Sequence, residues 1–160
     1  MYFPYAHAAG PGGVVEYTRI EHWDVAMDQG RVAARNMMGH GARFDTVPFF
    51  WTAQYGKSLR YAGHALRTDN VVLHGDLADV AKAAFTAFFV VHGAVAAVAT
   101  LNRDPEAVAA MELIRLGAMP TPGELAAVAE FNLTAHLAKV TLARSAAAGA
   151  AGASGPGKRK

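Results

Sequence analysis

The stretch AAFTAFFVVHGAVAAVATL, residues 83–101, contains no Asp, Glu, Lys or Arg and has a His-Gly pair at 92–93. Its length reaches the roughly 18–20 apolar residues that a transmembrane helix needs. The flanks of the His-Gly pair, however, are rich in Val, Phe and Thr, and a tight turn between two such runs is typical of a β-hairpin. We therefore predict two antiparallel strands, with a membrane-spanning helix as the less favoured alternative.

Extended segments also precede this hairpin, and turn residues separate them. These segments are VPFFWTA (residues 47–53), LRYAGHA (residues 59–65) and NVVLHG (residues 70–75). With the hairpin they give five strands, and their short spacing suits an antiparallel meander. Because the helical patterns follow the strands and do not alternate with them, the sequence predicts an α+β fold.

Two helices with clear starts follow the strands. Residues 104–106, Asp-Pro-Glu, supply an N-cap, a proline at the first helical position and an acid in the first turn. The residues predicted to supply the buried side of this helix are Val108, Met111, Leu113 and Ile114. Gly117 ends it. Thr121 and Glu124 have the spacing of a capping box, which predicts a second helix with a possible continuation over residues 133–143.

The two ends of the chain have a different composition from the middle. Residues 1–18 are rich in Gly and Pro and are predicted to form a loop, which includes GPGG at 10–13. A helix is predicted from about Trp23, and Gly39 ends it. Its small and apolar residues at helical spacing are Ala26, Gly30, Ala33 and Met37. Residues 143–160 are predicted to be a disordered Ala/Gly-rich basic tail.

Composition excludes several classes of site. The 160 residues include no Cys, so disulfides, thiolate metal sites and Cys nucleophiles are excluded. The formal net charge is only +2, and Lys and Arg are not clustered as a nucleic-acid-binding surface requires. We therefore predict no nucleic-acid partner. We predict no metal site, because no two of the seven His have the helical spacing of zinc ligands. The start lacks a secretory signal pattern. We predict a soluble protein. The sequence does not determine whether its compartment is the cytoplasm or an organelle.

Two aromatic stretches are candidates for a binding site. Residues 21–23, Glu-His-Trp, stand at a helix start, where free amides attract an anion or an electron-rich ring edge. The alternative is a simple helix cap with a surface His and a half-buried Trp. Trp51 lies in an aromatic strand, where it shares one face with Phe49 while Phe50 takes the other. The alternative for these aromatic residues is ordinary core packing.

Together, the stretches RIEHWDVAMDQGRVAARNMMG (residues 19–39) and VPFFWTAQYGKSLRYAG (residues 47–63) resemble the C-terminal end of FAD-dependent pyridine nucleotide-disulfide oxidoreductases. The group is that of apoptosis-inducing factor, especially its Rieske-carrying branch, and the NADH-dependent ferredoxin reductases. The resemblance covers about residues 3–130. It implies an antiparallel five-strand sheet with helices packed on one face. In that interpretation residues 1–40 are a remnant of the FAD-binding domain, and residues 41–142 form the reductase C-terminal domain.

The resemblance also implies cofactor contacts. The residues that it places beside the flavin are Glu21, His22 and Trp23. It places Trp51 near the ring where nicotinamide docks, with Gln54 as a neighbouring hydrogen-bonding group. Residues 52–53 are Thr-Ala where the family more often has Ser-Asp, so a carboxylate is missing there. We expect the indoles of Trp23 and Trp51 to share one open surface and not to lie far apart in separate interiors.

The function implied by the resemblance is hydride transfer from NAD(P)H to FAD in the complete enzyme. Neither dinucleotide-binding fingerprint occurs in this sequence, so we expect the chain alone to be inactive and to hold no cofactor tightly. We assign no catalytic residue. Implied partners are the remainder of a flavoprotein or a second copy, and a ferredoxin or Rieske-type electron acceptor. The alternative is a non-catalytic interaction or dimerisation module derived from that family.

Overall fold

The computed structural model describes residues 2–5, 16–79 and 81–152. In these ranges a two-stranded ribbon and one helix precede a five-stranded sheet, and three helices follow it. The strands are β1 (Phe3–Tyr5), β2 (Glu16–Thr18), β3 (Phe49–Gln54), β4 (Lys57–Gly63), β5 (Asn70–Asp76), β6 (Ala84–Val91) and β7 (Ala94–Leu101). The helices are α1 (Trp23–Met37), α2 (Asp104–Arg115), α3 (Pro122–Ala126) and α4 (Leu133–Gly152).

The apolar stretch 83–101 forms the hairpin of β6 and β7. His92 and Gly93 both have left-handed backbone angles, with φ of 50° and 78°, and Val91 pairs with Ala94 across the turn. Two left-handed residues in succession match the twist of the flanking strands, so the two-residue turn closes without splaying them. The hairpin prediction is confirmed. Nowhere in the described ranges is there a helix with the length and apolar character that a bilayer crossing requires.

The main sheet has the strand order β3-β4-β7-β6-β5, and every neighbouring pair is antiparallel. The predicted five-strand antiparallel sheet is confirmed, but the simple meander is wrong, because β4 pairs with β7 and not with β5. The reason is burial. Residues 95–98 of β7 are all buried, and a strand that buries both faces belongs in the middle of a sheet. Strands β3 and β5 form the two edges of the sheet and are more exposed.

The three C-terminal helices cover one face of this sheet. Helix α2 packs on β4 and β7, α4 packs on α2, and α3 contacts β5. The buried residues of this core are Ala62, Phe88, Val95, Val98, Ala109, Ala110, Leu113, Leu125 and Leu133. Of the buried side predicted for α2, Leu113 and Ile114 are buried, whereas Val108 is exposed. Ala107 and Ala110 take the inward positions one turn apart, which turns Val108 toward the outside.

The helix starts differ from prediction in one place. Arg103 is the N-cap of α2, and Asp104, predicted as the cap, is the first helical residue. The Asp104 carboxylate instead accepts hydrogen bonds from Ser58 Oγ at 2.8 Å and from Arg60 Nη2 at 2.7 Å. These bonds tie the start of α2 to β4.

The capping box at the next helix is confirmed. Thr121 Oγ1 accepts from the Glu124 amide at 3.2 Å, and the Thr121 amide donates to Glu124 Oε2 at 2.7 Å. The carboxylate is therefore favoured, which lowers the pKa of Glu124. The possible continuation into one long helix is wrong, since α3 ends at Ala126 and α4 begins separately at Leu133.

The ends of the chain also depart from prediction. Residues 3–5 and 16–18 are paired strands and not loop, because Phe3 and Tyr5 bury their side chains against Val25 of α1. The GPGG stretch lies outside the described residues. Helix α4 extends through Gly152 into the predicted tail, since alanine is the strongest helix former. Residues 153–160 lie outside the described residues.

One buried histidine joins β5 to the helical layer. The Phe131 amide donates to His74 Nδ1 at 3.2 Å, so the ring hydrogen belongs on Nε2, which donates to the Leu125 carbonyl at 2.9 Å. The ring also meets Phe88 edge to face, with centroids 5.2 Å apart. Both ring nitrogens are used, so His74 is a structural link between β5, α3 and the segment before α4.

We expect His74→Ala to lower the free energy of unfolding by about 1–3 kcal/mol, because it leaves two backbone groups without their partner. Urea denaturation followed by circular dichroism measures this loss. The matched control is His40→Ala at an exposed position, which should leave the midpoint unchanged. Equal midpoints for the two variants would show that the His74 link contributes nothing.

Candidate functional site

The start of α1 presents backbone amides that no side chain caps. His22 is the N-cap with an extended backbone (φ −131°, ψ 143°), and its own side chain makes no capping bond. An uncapped helix start carries a partial positive charge and free N–H donors. It therefore favours an anion or the electron-rich edge of a ring. The alternative of a simple helix cap predicted a half-buried Trp23. That prediction is wrong, since Trp23 is 77% exposed.

A shallow depression surrounds this helix start. Its volume is about 390 Å³. The residues that line it are Arg19, Ile20, Glu21, His22, Trp23, Ala26 and Gln29. Arg19 forms an ion pair with Glu21 at the rim of the depression, where both side chains are largely exposed. Arg19 was not predicted from the sequence, although its i, i+2 spacing from Glu21 puts both side chains on one side of an extended segment.

The side chain of His22 connects α1 to the main sheet. Its ring meets the ring of Phe50 edge to face, with centroids 5.5 Å apart and an interplanar angle of 76°. Phe50 lies in β3, directly before Trp51. The sequence predicted that Phe50 points away from Phe49, but not which segment it contacts. This contact brings the helix start beside the strand that carries the second tryptophan.

Trp51 is exposed on the edge strand. Its side chain is 64% exposed, whereas Phe49 packs against the core, so core packing is wrong for Trp51 and right for Phe49. The cause is position, since β3 lies at the edge of the sheet while α2 packs on β4 and β7. Trp51 pairs with Arg60 of β4, whose guanidinium binds Asp104 of α2. Trp51 therefore belongs to the helix-covered face, and Phe50, which meets His22, belongs to the other.

Gln54 is not close to this contact. It ends β3 and pairs with Lys57 at the turn, four positions beyond Phe50. At about 3.3 Å per residue, the two positions are about 13 Å apart along the strand. The side-chain amide Nε2 of Gln54 donates to Thr52 Oγ1 at 3.4 Å. The structure thus joins residues 21–23 to the start of β3 and leaves Gln54 at its far end.

A second junction holds the N-terminal ribbon against His64, the residue that follows β4. Thr18 Oγ1 and His64 Nε2 are 3.0 Å apart, and the rings of Tyr5 and His64 meet edge to face at 5.9 Å. Burial raises the pKa of Tyr5 and that of Tyr61 above the usual tyrosine range. Both phenols are therefore neutral at physiological pH. The sequence did not predict this junction, which depends on contacts between distant segments.

These groups can bind and orient a ligand. In the part of the chain that the structure describes, no three His, Asp or Glu side chains cluster in a way that could hold a metal ion. What the site offers is a helix start with free amides, an ion pair, and exposed aromatic rings. Such an arrangement suits contact with a planar ring more than proton transfer or nucleophilic attack.

The comparison with known proteins identifies the family. Residues 49–137 match the family described as Reductase C-terminal. The chain belongs to this family. Apoptosis-inducing factor 3 of Mus musculus is 49% identical over 86 residues, which are 54% of this chain and 14% of that protein. The ferredoxin–NAD(+) reductase component of the anthranilate 1,2-dioxygenase system of Burkholderia cepacia is 36% identical over 111 residues, 69% of this chain and 27% of that protein.

A solved structure agrees in fold. The covalent putidaredoxin reductase–putidaredoxin complex contains a similar chain at 28% identity, with a TM-score of 0.62 over 72% of this chain and 27% of that chain. The resemblance to the apoptosis-inducing-factor and ferredoxin-reductase group is therefore confirmed, as is the α+β fold. This chain spans 14% to 27% of the length of the relatives that we describe.

We expect the contact between His22 and Phe50 to contribute to stability as a pair. Phe50→Ala and His22→Ala should each lower the free energy of unfolding by about 1 kcal/mol. Their double-mutant cycle should give a coupling of about 0.5–1.5 kcal/mol, the range of an edge-to-face aromatic pair. Tyr55→Ala, at a ring that is 99% exposed, is the matched control and should change nothing. Strict additivity of the two variants would exclude the pairing.

Proposed function

We propose that this chain is the C-terminal reductase portion of an FAD-dependent NAD(P)H oxidoreductase, in which hydride passes from nicotinamide to flavin in the complete enzyme. The observation that supports the site is the contact of His22 with Phe50, which sets an uncapped helix start beside an edge strand with an exposed indole. In this proposal residues 1–40 derive from an FAD-binding domain. Residues 41–142 form the reductase C-terminal domain.

The residues present fit one side of a flavin site. The exposed indoles offer large flat apolar surfaces on which a planar ring can stack. The free amides at the start of α1 suit the electron-rich carbonyl edge of a flavin ring. When bound, FAD supplies the hydride-accepting chemistry, and the protein supplies binding and orientation.

Each residue of the site has a role in this proposal. His22 and Trp23 lie against the ring, while Glu21, held by Arg19, sets the local charge and hydrogen bonding. Trp51 stands at the sheet edge, where a planar ring placed beyond β3 can reach both faces of the strand. In this proposal Trp51 borders the site at which the nicotinamide ring docks. Gln54, at the far end of β3, offers a hydrogen bond to a more distant part of the ligand.

We expect the isolated chain to hold FAD weakly. The pyrophosphate of FAD binds at a helix start that follows a Gly-x-Gly-x-x-Gly turn, and the sequence has no such motif. The partner that completes the site is the remainder of a flavoprotein or a second copy of this chain. The proposed electron acceptor is a ferredoxin or Rieske-type protein. This is supported by the similar solved structure, in which putidaredoxin reductase is joined to putidaredoxin.

A non-catalytic interaction module is the second candidate function. It is favoured by the exposed apolar side chains of α1, of which Trp23 and Met37 protrude most, with 77% and 89% exposure. An apolar surface of this kind is typical of a protein–protein contact. Both functions use the surface around α1. They differ in whether a flavin lies between this chain and the partner that covers that surface.

The experiment that tests the proposed function uses a chimera, in which this chain replaces the corresponding C-terminal segment of the Burkholderia cepacia reductase. We expect the chimera to bind FAD and oxidise NADH. Trp51→Ala in the chimera should raise KM for NADH about 5–10-fold or change the charge-transfer absorbance, because it removes about 1–1.4 kcal/mol of ring contact. Tyr55→Ala is the matched aromatic control.

Equal kinetics and spectra for the two variants would remove Trp51 from the nicotinamide site. The chimera also distinguishes the two candidate functions. A chimera that folds and binds FAD but does not oxidise NADH would favour the interaction module, whereas NADH oxidation that is weakened by Trp51→Ala and not by Tyr55→Ala would exclude a purely non-catalytic role.

A further inference from the structure

One row of side chains crosses all five strands of the main sheet on its helix-covered face. Its members, each directly opposite the next, are Trp51, Arg60, Thr100, Thr86 and His74. Three members are almost fully buried, with exposures of 0% for Thr100, 2% for Thr86 and 3% for His74. This row is polar in a core that is otherwise apolar.

The middle of the row contains polar atoms that have no partner. Arg60 Nε, Thr100 Oγ1 and Thr86 Oγ1 are buried and have no hydrogen-bond partner among residues 2–5, 16–79 and 81–152. Other polar groups of the row do have partners. The guanidinium of Arg60 binds Asp104 through Nη2, and both ring nitrogens of His74 are bonded. Buried polar atoms without partners are rare in native proteins, and three in adjacent positions of one row point to a common ligand.

We propose that this row binds ordered water between the sheet and α2. One site lies between Arg60 Nε and Thr100 Oγ1, and a second lies between the hydroxyls of Thr100 and Thr86. Arg60 Nε–H donates to the first water, and the water hydrogens go to the hydroxyl oxygens and to the neighbouring water. Each water then makes about three hydrogen bonds, which is the usual number for a buried water.

The dimensions of the sheet agree with this proposal. Side chains directly opposite each other on paired strands have Cβ atoms about 4.5–5.5 Å apart. The hydroxyl oxygen of a threonine is bonded directly to Cβ, so a facing threonine pair comes within reach of one water, which makes a bond of about 2.8 Å to each oxygen. Helix α2 packs on β4 and β7, and its fully buried residues include the small side chains Ala107 and Ala110. The bound water would also restrict the side chain of Arg60, which joins β4 to α2 and lies opposite Trp51.

The direct test is NMR of the unmodified 160-residue chain. We expect nuclear Overhauser cross-peaks between water and the γ-methyl groups of Thr86 and Thr100, with the long residence time of buried water. The control is the methyl of Val98, which lies buried on the same face of β7 and should show none. The absence of water contacts at both threonines would overturn the proposal.

Substitution gives an independent test by the sign of its effect. Thr86→Val and Thr100→Val keep the shape of the side chain and remove the hydroxyl. A hydrated row predicts a lower urea midpoint for each variant, and a smaller loss for the double variant than the sum, because the two share a water. Dry hydroxyls without partners predict a higher midpoint for each, since the substitution removes a buried polar group.

Thr18→Val calibrates the scale of this effect. Thr18 is also buried, and its hydroxyl contacts a protein group, His64, at 3.0 Å. Its midpoint should fall whether or not the row binds water. A rise for both row variants together with a fall for Thr18→Val would contradict the proposal, even though valine favours strands.

Discussion

The pairing of β4 with β7 is the constraint on which the rest of the structure depends. It joins strands that are distant in sequence, and it places β7, with its continuous apolar run, at the centre of the sheet. Helix α2 follows β7 directly and is held to β4 by Asp104, which binds both Ser58 and Arg60. Because β4 has β7 on one side, β3 becomes an edge strand on the other. The exposure of Trp51 is a consequence of that position.

Local patterns were enough to predict the elements but not their order. The hairpin at residues 92–93 and the capping box of Thr121 and Glu124 are decided by neighbouring residues, and both are present in the structure. Strand order depends on which segments bury each other's faces, and this balance involves the whole chain. The exposure of Val108 has the same origin, since the inward side of α2 is set by its contact with β4 and β7.

The candidate site was predictable in its residue types and less so in its geometry. A histidine and a tryptophan at a helix start are visible in the sequence, and so is an aromatic strand. The contact of His22 with Phe50 is not, because it requires the fold to bring α1 to β3. The separation of Gln54 from that contact follows from the length of β3. The polar row is invisible without the register, since its five members lie in five different strands.

The groups of this chain position a ligand and leave the reaction to a cofactor. Two junctions, His22 with Phe50 and Thr18 with His64, fix the N-terminal segment against the sheet, so the helix start and the edge strand present a defined surface. A crystal structure of the FAD-loaded chimera tests this account most directly. We expect the isoalloxazine to lie within about 4 Å of the rings of His22 and Trp23. A flavin in contact with neither ring would contradict it.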